Sequence, residues 1–150
     1  MLFHTLKKKK KIWRQYDWMV GTRTVKGPNL PGSYAIFALP EIKKELVISW
    51  SSDEGRSNKS PRDGIFYAFD KCLDNLKRLK ATPLGIINCL NFGHPRDSMG
   101  AFRETIFGLK ERCLKYNLPV LGGNVSLYNA HNNRSIKPTS VLVMAGVRPV

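Results

Sequence analysis

Acidic residues are scarce in this sequence. Its 150 residues include 25 lysines and arginines but only 11 aspartates and glutamates, so the formal net charge is +14. A positive field of that size favours anionic partners such as nucleotides, nucleic acid or an acidic protein surface. The lysines at 7–11 form an unbroken run, but no aromatic residues interleave with them. We therefore interpret residues 1–12 as a solvated basic segment and do not expect nucleic acid as a partner.

Cysteines and long apolar runs are also few. The three cysteines, Cys72, Cys89 and Cys113, show neither CxxC nor Cys/His ligand spacing, which indicates buried reduced thiols and no metal site. The longest apolar run, 141–147, is far short of the roughly 20 residues that span a bilayer. The first residues carry charge where a signal peptide needs an apolar core. These absences predict a cytoplasmic protein with no membrane association.

Several catalytic signatures are missing as well, including HExxH, the GxxxxGK[ST] loop and the nucleophile elbow. What the chain does have is a composition that is 42% apolar, enough for a real core. We expect one domain, over residues 13–150, following the basic segment.

Apolar periodicity predicts an α/β (α+β) fold, with helices packed on one face of a mixed β-sheet. In the second helix a stripe at Met99, Phe102, Ile106, Leu109 and Cys113 is expected to lie in the core, and Asp97 or Ser98 is expected to cap that helix. Strands are predicted at 33–39, 45–51, 82–92 and 139–150, and helices at 62–80 and after 97. The segment 118–128 is predicted as a strand, a Gly-Gly loop and a second strand. An exposed loop is expected at 51–64 and a turn at 131–138.

Two polar segments follow predicted strands. One is CLNFGHP, with Asn91, Gly93 and His94, and the other is LGGNVS, with Gly122, Gly123, Asn124 and Ser126. Adjacent glycines let backbone N–H groups approach an anion, although Gly-Gly-Asn is also common in ordinary turns. A histidine there is a general base, a phosphate ligand or a hydrogen-bonded surface residue. The residues alone indicate a basic domain with two polar loops after strands.

Four longer segments of the sequence resemble one protein family. The segments 13–25, 83–95, 119–129 and 136–147 resemble phosphoribosylformylglycinamidine synthase, the large synthetase subunit of purine biosynthesis. That family joins formylglycinamide ribonucleotide, ATP and ammonia drawn from glutamine into formylglycinamidine ribonucleotide, ADP and phosphate. The resemblance implies an N-terminal-type domain of the aminoimidazole ribonucleotide synthetase-related superfamily, from the second half of a longer chain.

The resemblance also implies a nucleotide or substrate site, but one that has lost its acids. Mg²⁺ needs hard oxygen ligands, mostly carboxylates, so its site is expected to be degraded, and no catalytic or metal-binding residue is assigned. The matching candidates for ATP, ADP or substrate are Asn75, Asn91, Gly93, His94, Gly122, Gly123, Asn124 and Ser126. Acids of the family's motifs are replaced by Tyr34, Ser51, Ser60, Lys71, Asn88 and Ala130.

One replacement carries its own hypothesis. The ammonium group of Lys71, with Arg62 or Arg56, would neutralise a phosphate directly in place of the lost metal. The alternative is that Lys71 simply faces solvent on a helix.

We therefore expect a diverged, truncated domain that is not a complete ligase, and leave open whether it is an enzyme. Its unpaired strand edges predict a homodimer, or docking on a synthetase subunit or complementary domain. Two alternatives are a competent fragment that works with a separately encoded complement, and a nucleic-acid-binding module whose affinity falls steeply with salt.

Overall fold

The computed structural model describes residues 14–16, 20–27 and 30–150. The lysine run and Trp13 lie outside the described residues, so the division of the chain at residue 12 stays a prediction. The described part contains a six-stranded mixed sheet, a two-stranded hairpin and three α-helices, which confirms the predicted fold class. The strands are β1 Thr24–Lys26, β2 Tyr34–Leu39, β3 Lys44–Ser52, β4 Thr82–Asn91, β5 Val120–Ser126, β6 Ala130–His131, β7 Arg134–Ser135 and β8 Thr139–Pro149, and the helices are α1 Glu54–Lys59, α2 Pro61–Arg78 and α3 Pro95–Tyr116.

The strand order in the sheet is β1-β2-β3-β8-β4-β5. Only β4 and β5 pair in parallel; the other neighbours are antiparallel. The carboxyl ends of β3, β4 and β5 therefore lie at one edge of the sheet, together with the starts of β2 and β8. We call this edge the upper edge.

Helix α2 covers one face of the sheet, and α3 packs on α2. α2 buries a helical stripe that includes Ile65, Phe69, Cys72 and Leu76, and it packs mainly on β3 and β8. α3 packs on α2, where a Cβ on Gly108 would lie only 2.7 Å from Cγ2 of Ile65. Each fully buried large aliphatic or aromatic side chain contributes about 1.5–3 kcal/mol, so this layer supplies most of the core.

The opposite sheet face is apolar and is not covered by these helices. Successive side chains of a strand point to opposite faces, and the buried residues of β3 and β8 alternate with half-buried or exposed apolar ones. The register places Trp50 opposite Val143, which lies opposite Ile87, and a second row joins Leu46 to Val147. We call this surface the open face; its apolar residues are Phe37, Leu46, Ile48, Trp50, Ile87, Val141, Val143, Ala145 and Val147.

The polar segment 51–64 was expected to be a loop, and this prediction was wrong. It holds the short helix α1 and the start of α2. The side chain of Asp53 caps α1 by accepting from the Arg56 N–H at 2.8 Å, and Ser60 caps α2 by accepting from the Asp63 N–H at 3.3 Å. Short polar side chains favour such caps, but a six-residue helix with one buried residue has no apolar period to reveal it.

The predicted Gly-Gly loop at 122–123 is also wrong, because β5 runs through it without a break. Gly123 adopts a φ of +155°, and a Cβ there would lie 2.4 Å from the carbonyl oxygen of Asn88 on β4. The glycine is needed for close approach of two strands, not for a turn.

Helix α3 begins earlier than expected, and part of its stripe is not in the core. It starts at Pro95, and its N-cap is His94, not Asp97 or Ser98. Leu109 is buried, but Met99 and Ile106 are 46% and 36% exposed. Periodicity identified the helix correctly, but it could not show which side of the stripe would meet α2.

The cysteines are free, as expected, but not equally buried. Burial raises the pKa of the Cys72 thiol to about 11, and burial also raises the pKa of Cys113. Cys89 and Cys113 are only partly buried, so the prediction of buried thiols holds fully for Cys72 alone. No helix in the described ranges is long and apolar enough to cross a membrane.

Candidate functional site

Two polar segments meet at the upper edge. The segment after β4 and the segment after β5 are tied together because the Phe92 N–H donates to the Ser126 carbonyl at 2.9 Å and the Tyr128 N–H donates to the Gly93 carbonyl at 3.0 Å. The Asn129 side chain adds a donation to the Phe92 carbonyl at 2.9 Å. Residues that are more than thirty positions apart therefore form one rigid rim.

His94 places an imidazole ring on this rim. Its Nδ1 accepts from the Arg96 N–H at 3.1 Å, which leaves the proton of a neutral ring on Nε2. The ring stands edge-on to Tyr128 with the centroids 5.0 Å apart. Its backbone N–H donates to the Ser135 hydroxyl at 3.2 Å. His94 is thus held in place with Nε2 free to donate to a bound oxygen, because Nε2 has no partner in the described part of the chain.

Asn91, Asn124 and Ser126 line the polar margin of the open face next to this rim. The register pairs Asn91 with Ser126 and Cys89 with Asn124, and residues that pair in this way share a face of the sheet. The Ser126 hydroxyl donates to Oδ1 of the Asn129 side chain at 3.0 Å. The structure therefore brings together Asn91, Gly93, His94, Asn124 and Ser126.

The two glycines of β5 do not form an anion-binding loop. Gly122 is exposed on β5, the outermost strand of the sheet, and a Cβ placed on it would have nothing within 4 Å. Gly123 contacts Asn88 of the neighbouring strand β4. Both lie near the rim along the strand, but neither is part of a loop. A contact between either glycine and a ligand stays a prediction.

Asn75 and Lys71 lie away from the rim, on α2. The buried Asn75 amide donates to the Ser49 hydroxyl at 2.9 Å and accepts from Arg78 at 2.8 Å, so it ties the helix to β3. Lys71 is exposed, about 15 Å along the helix from Pro61. Neither side chain reaches the side chains gathered at the upper edge.

The proposed helpers of Lys71 are both paired with carboxylates. Arg56 lies 3.1 Å from Asp53 and stacks 4.5 Å from the ring centroid of Tyr67. Arg62 lies 2.9 Å from Glu111, whose hydrogen bond raises the pKa of the guanidinium. The described contacts therefore give no support to a cluster of free cations around Lys71.

A cavity of about 520 Å³ opens beside the junction of α1 and α2. Its lining mixes two carboxylates with two cations, so it has no net preference for one sign of ligand. The lining residues are Asp53, Gly55, Arg56, Lys59, Ser60 and Asp63. Sequence analysis interpreted this segment as a loop and assigned it only Arg56 and Arg62, as cations that would help Lys71 to neutralise a phosphate.

Two of the positions where the resemblance implies a replaced acid have structural roles. Ser60 caps α2, and the Tyr34 ring lies 3.9 Å under the ammonium of Lys26, which also donates to the Tyr34 carbonyl at 2.8 Å. Burial lowers the pKa of Lys26. Within residues 14–16, 20–27 and 30–150 no group of three or more His, Cys, Asp or Glu side chains could hold a metal ion.

Sequence reasoning missed Tyr128, Asn129 and Ser135 as members of the rim. Ser135 sits on the β6–β7 hairpin and packs so closely that a Cβ on Gly93 would lie 2.4 Å from its Cβ. Asn129 is the last residue of segment 119–129, which carried the family resemblance, and this membership could have marked it as a candidate. Nothing in the local sequence indicates that Ser135 would pack on Gly93.

Comparisons with known proteins agree with this architecture. Residues 37–148 match the family model described as AIR synthase related protein, N-terminal domain. Phosphoribosylformylglycinamidine synthase subunit PurL of Carboxydothermus hydrogenoformans is 38% identical over 93% of this chain, and that of Natronomonas pharaonis is 37% identical over 92%. The chain spans about a fifth of the length of these relatives, 19% in each case.

Solved structures give the same result. The Thermotoga maritima phosphoribosylformylglycinamidine synthase II superposes with a TM-score of 0.76 at 29% identity, and the match covers 91% of this chain and 23% of that one. Thermotoga maritima PurL complexed with ATP matches with a TM-score of 0.70 at 27% identity, over 93% of this chain and 23% of that one. The resemblance seen in the sequence is confirmed, while its assignment to the second half of such a chain stays a prediction.

Proposed function

Because the chain belongs to the family of AIR synthase-related N-terminal domains, we propose that it is a packing domain without a complete active site of its own. It docks through the open face on another domain of this type, carried by a synthetase chain. The observation that carries this proposal is the open face, where registered rows of apolar side chains cross β3, β8 and β4.

The composition of the open face supports docking. The row formed by Trp50, Val143 and Ile87 is apolar throughout, in a chain whose formal net charge is +14. Trp50 and Ile87 are 39% and 44% exposed although they stand in one row with Val143. Contiguous apolar surface of this kind marks a protein interaction site. Burying it against a matching sheet would stabilise the complex by roughly 25 cal/mol per Å² of apolar surface.

The net charge decides the preferred occupant. Two copies of this chain would bring two strongly basic molecules together, and their repulsion opposes a homodimer. A less basic domain on a synthetase large subunit offers the same kind of sheet without the electrostatic repulsion between two basic copies. The relatives are themselves such subunits, which supports this choice.

The substitutions support a non-catalytic role. Phosphoryl transfer depends on a metal and on positioned charge, and the acids of the family's motifs are replaced at Ser51, Ser60 and Asn88, among other positions. Alone, the chain would not carry out the ligase reaction. A purine-biosynthesis partner also implies a cytoplasmic location.

Sedimentation velocity tests the docking proposal. The full chain is mixed with the PurL subunit of Carboxydothermus hydrogenoformans, and a complex is expected that Trp50→Lys and Val143→Lys each abolish. Ile42→Lys is the matched control, since Ile42 is an exposed apolar residue outside the open face, and it should leave the complex intact. A chain that stays monomeric in every mixture contradicts the proposal. A homodimer broken by the same two substitutions would keep the interface but contradict the choice of partner.

A second candidate function is nucleotide binding at the upper edge. The tied rim of Asn91, His94 and Ser126 lies at the carboxyl ends of parallel strands, where ligands often bind, and the Thermotoga maritima relative was solved with ATP. We expect calorimetric titration with ATP or ADP to show binding that persists when Mg²⁺ is chelated. His94→Ala and Asn91→Ala should weaken it, and Lys71→Glu should have no effect if that lysine only faces solvent. Binding that requires Mg²⁺ would show that the metal site is intact after all.

A further inference from the structure

The outward side of α3 presents a row of basic residues. Arg96, Arg103 and Lys110 are exposed and follow one another at intervals of seven positions. Seven residues make nearly two helical turns, so the three side chains stand in one line about 10.5 Å apart. The row runs along the helix away from α2 and away from the open face of the sheet.

Apolar side chains flank this row. Met99, Ile106, Phe107 and Leu114 lie three or four positions from members of the row, so they share its side of the helix. Leu114 is 71% exposed and Phe107 is 42% exposed. The guanidinium of Arg103 lies 5.2 Å from the ring centroid of Phe107, which orders part of this surface in advance. We call the basic row with these apolar residues the outer face of α3.

The positive charge of the outer face is not neutralised within the described part of the chain. Helix α3 itself carries three acids, and none of them pairs with the row. Glu104 and Glu111 lie 3.6 and 2.9 Å from Arg62 of α2, and Asp97 accepts from the Ser135 hydroxyl at 3.4 Å. Arg96, Arg103 and Lys110 form no ion pair among the described residues. The acids of α3 are therefore directed at Arg62 and Ser135, and the row stays unpaired among the described residues.

We propose that the outer face of α3 binds an acidic amphipathic helix of a partner protein. Carboxylates seven residues apart on that helix would face the basic row, and apolar side chains between them would cover Ile106 and Phe107. Helix-to-helix docking of this kind combines apolar burial with charge complementarity.

Other occupants fit the outer face less well. A second copy of this chain would place like charges against each other. Nucleic acid would match the basic row but would leave exposed apolar side chains against phosphates. A membrane surface would need the apolar residues to insert together, whereas here the basic row runs between them.

A helical peptide of about three seven-residue repeats, with glutamates at seven-residue spacing flanked by leucines, is the probe. Its fluorescence anisotropy is followed on titration with the full chain. We expect Arg103→Glu to weaken binding at least about tenfold, and Phe107→Ser to weaken it severalfold. Lys44→Glu is the control, because it makes the same charge change at an exposed residue outside α3, at the start of β3. It should change the affinity for the peptide less than about twofold. All three positions are exposed, so the variants should melt like the parent chain.

Four results would overturn the proposal. The first is no binding of the acidic peptide, and the second is equal binding of a peptide in which serines replace the leucines. The third is tighter binding of duplex DNA or anionic vesicles that is lost in Arg103→Glu and displaces the peptide. The fourth is self-association that Phe107→Ser abolishes. Because the outer face and the open face lie on different sides of the molecule, docking on a synthetase domain can fail or succeed independently of this result.

Discussion

At the residue scale, polar side chains that the family resemblance marked as candidate ligands hold the core together. Asn75 is the clearest case, because its amide joins α2 to the buried Ser49 of β3. Cys72 lies beside it, with its sulfur 3.7 Å from the Ser49 carbonyl and 3.6 Å from the Leu142 carbonyl. A buried amide must satisfy its hydrogen bonds inside the protein, and that requirement explains its position without a ligand.

Cys72 gives a pH dependence at this scale. Burial raises its pKa from an ordinary value of 9.0 to about 11, because the thiolate loses its hydration. The unfolded chain therefore releases this proton first as the pH rises. The resulting stability is fully present below about pH 9 and is lost progressively towards pH 11, by up to about 2–3 kcal/mol.

Urea unfolding at a series of pH values checks this expectation. Cys72→Ala costs stability at every pH through the cavity it leaves, but its free energy of unfolding should fall less steeply above pH 9. The difference in slope isolates Cys72 from lysines and tyrosines that titrate in the same range. Parallel curves for the two proteins would show that the thiol does not titrate as described.

At the element scale, the sequence was informative where burial alternates and silent where it does not. Strands β3 and β8 bury every second residue, and α2 buries a helical stripe, so their periods were visible. Helix α1 buries only Ser57, and β5 is exposed along almost its whole length. The apolar pattern did not reveal α1, and it divided β5 into two strands at the Gly-Gly pair, because α1 is specified by its caps and the continuity of β5 by its pairing with β4.

The contact between α1 and α2 supplies a prediction about stability. A Cβ on Gly64 would lie 2.3 Å from the Ser57 hydroxyl and 2.6 Å from the Ser57 Cα, so Gly64→Ala must push the two helices apart. We expect it to lower the free energy of unfolding by about 1–3 kcal/mol. Gly100→Ala is the matched control in α3, where a Cβ meets nothing within 4 Å, and it should stabilise the protein by about 0.5–1 kcal/mol. Chemical denaturation that gave both variants the same sign would contradict this account of the contact.

At the scale of the whole molecule, the described helices cover one side of the sheet and leave the other side open. The core lies between the sheet and α2, while the open face keeps Trp50, Val143 and Ile87 at the surface. An assembly that buries this face contributes stability that the isolated chain lacks. The melting temperature should therefore depend on the presence of the partner.

Calorimetry measures this dependence directly. The melting temperature of the full chain is expected to rise when the synthetase subunit is added in excess, because the partner binds the folded state only. Val143→Lys should melt at a temperature that does not respond to the subunit, while Ile42→Lys responds like the parent chain. If the subunit also raised the melting temperature of Val143→Lys, the contact between the two proteins would lie outside the open face.

The sequence by itself determined the class of the fold, most of the elements and the family. Those features depend on local periodicity and on contiguous motifs, such as the segments around Asn91 and Asn124, and both can be read along the chain. Only the tertiary structure decided which candidates meet. It joined His94 to Tyr128, moved Asn75 and Lys71 away from the rim, and turned Met99 and Ile106 outward. The physical reason is that strand order, register and helix contacts depend on residues far apart in the chain, which no local pattern records.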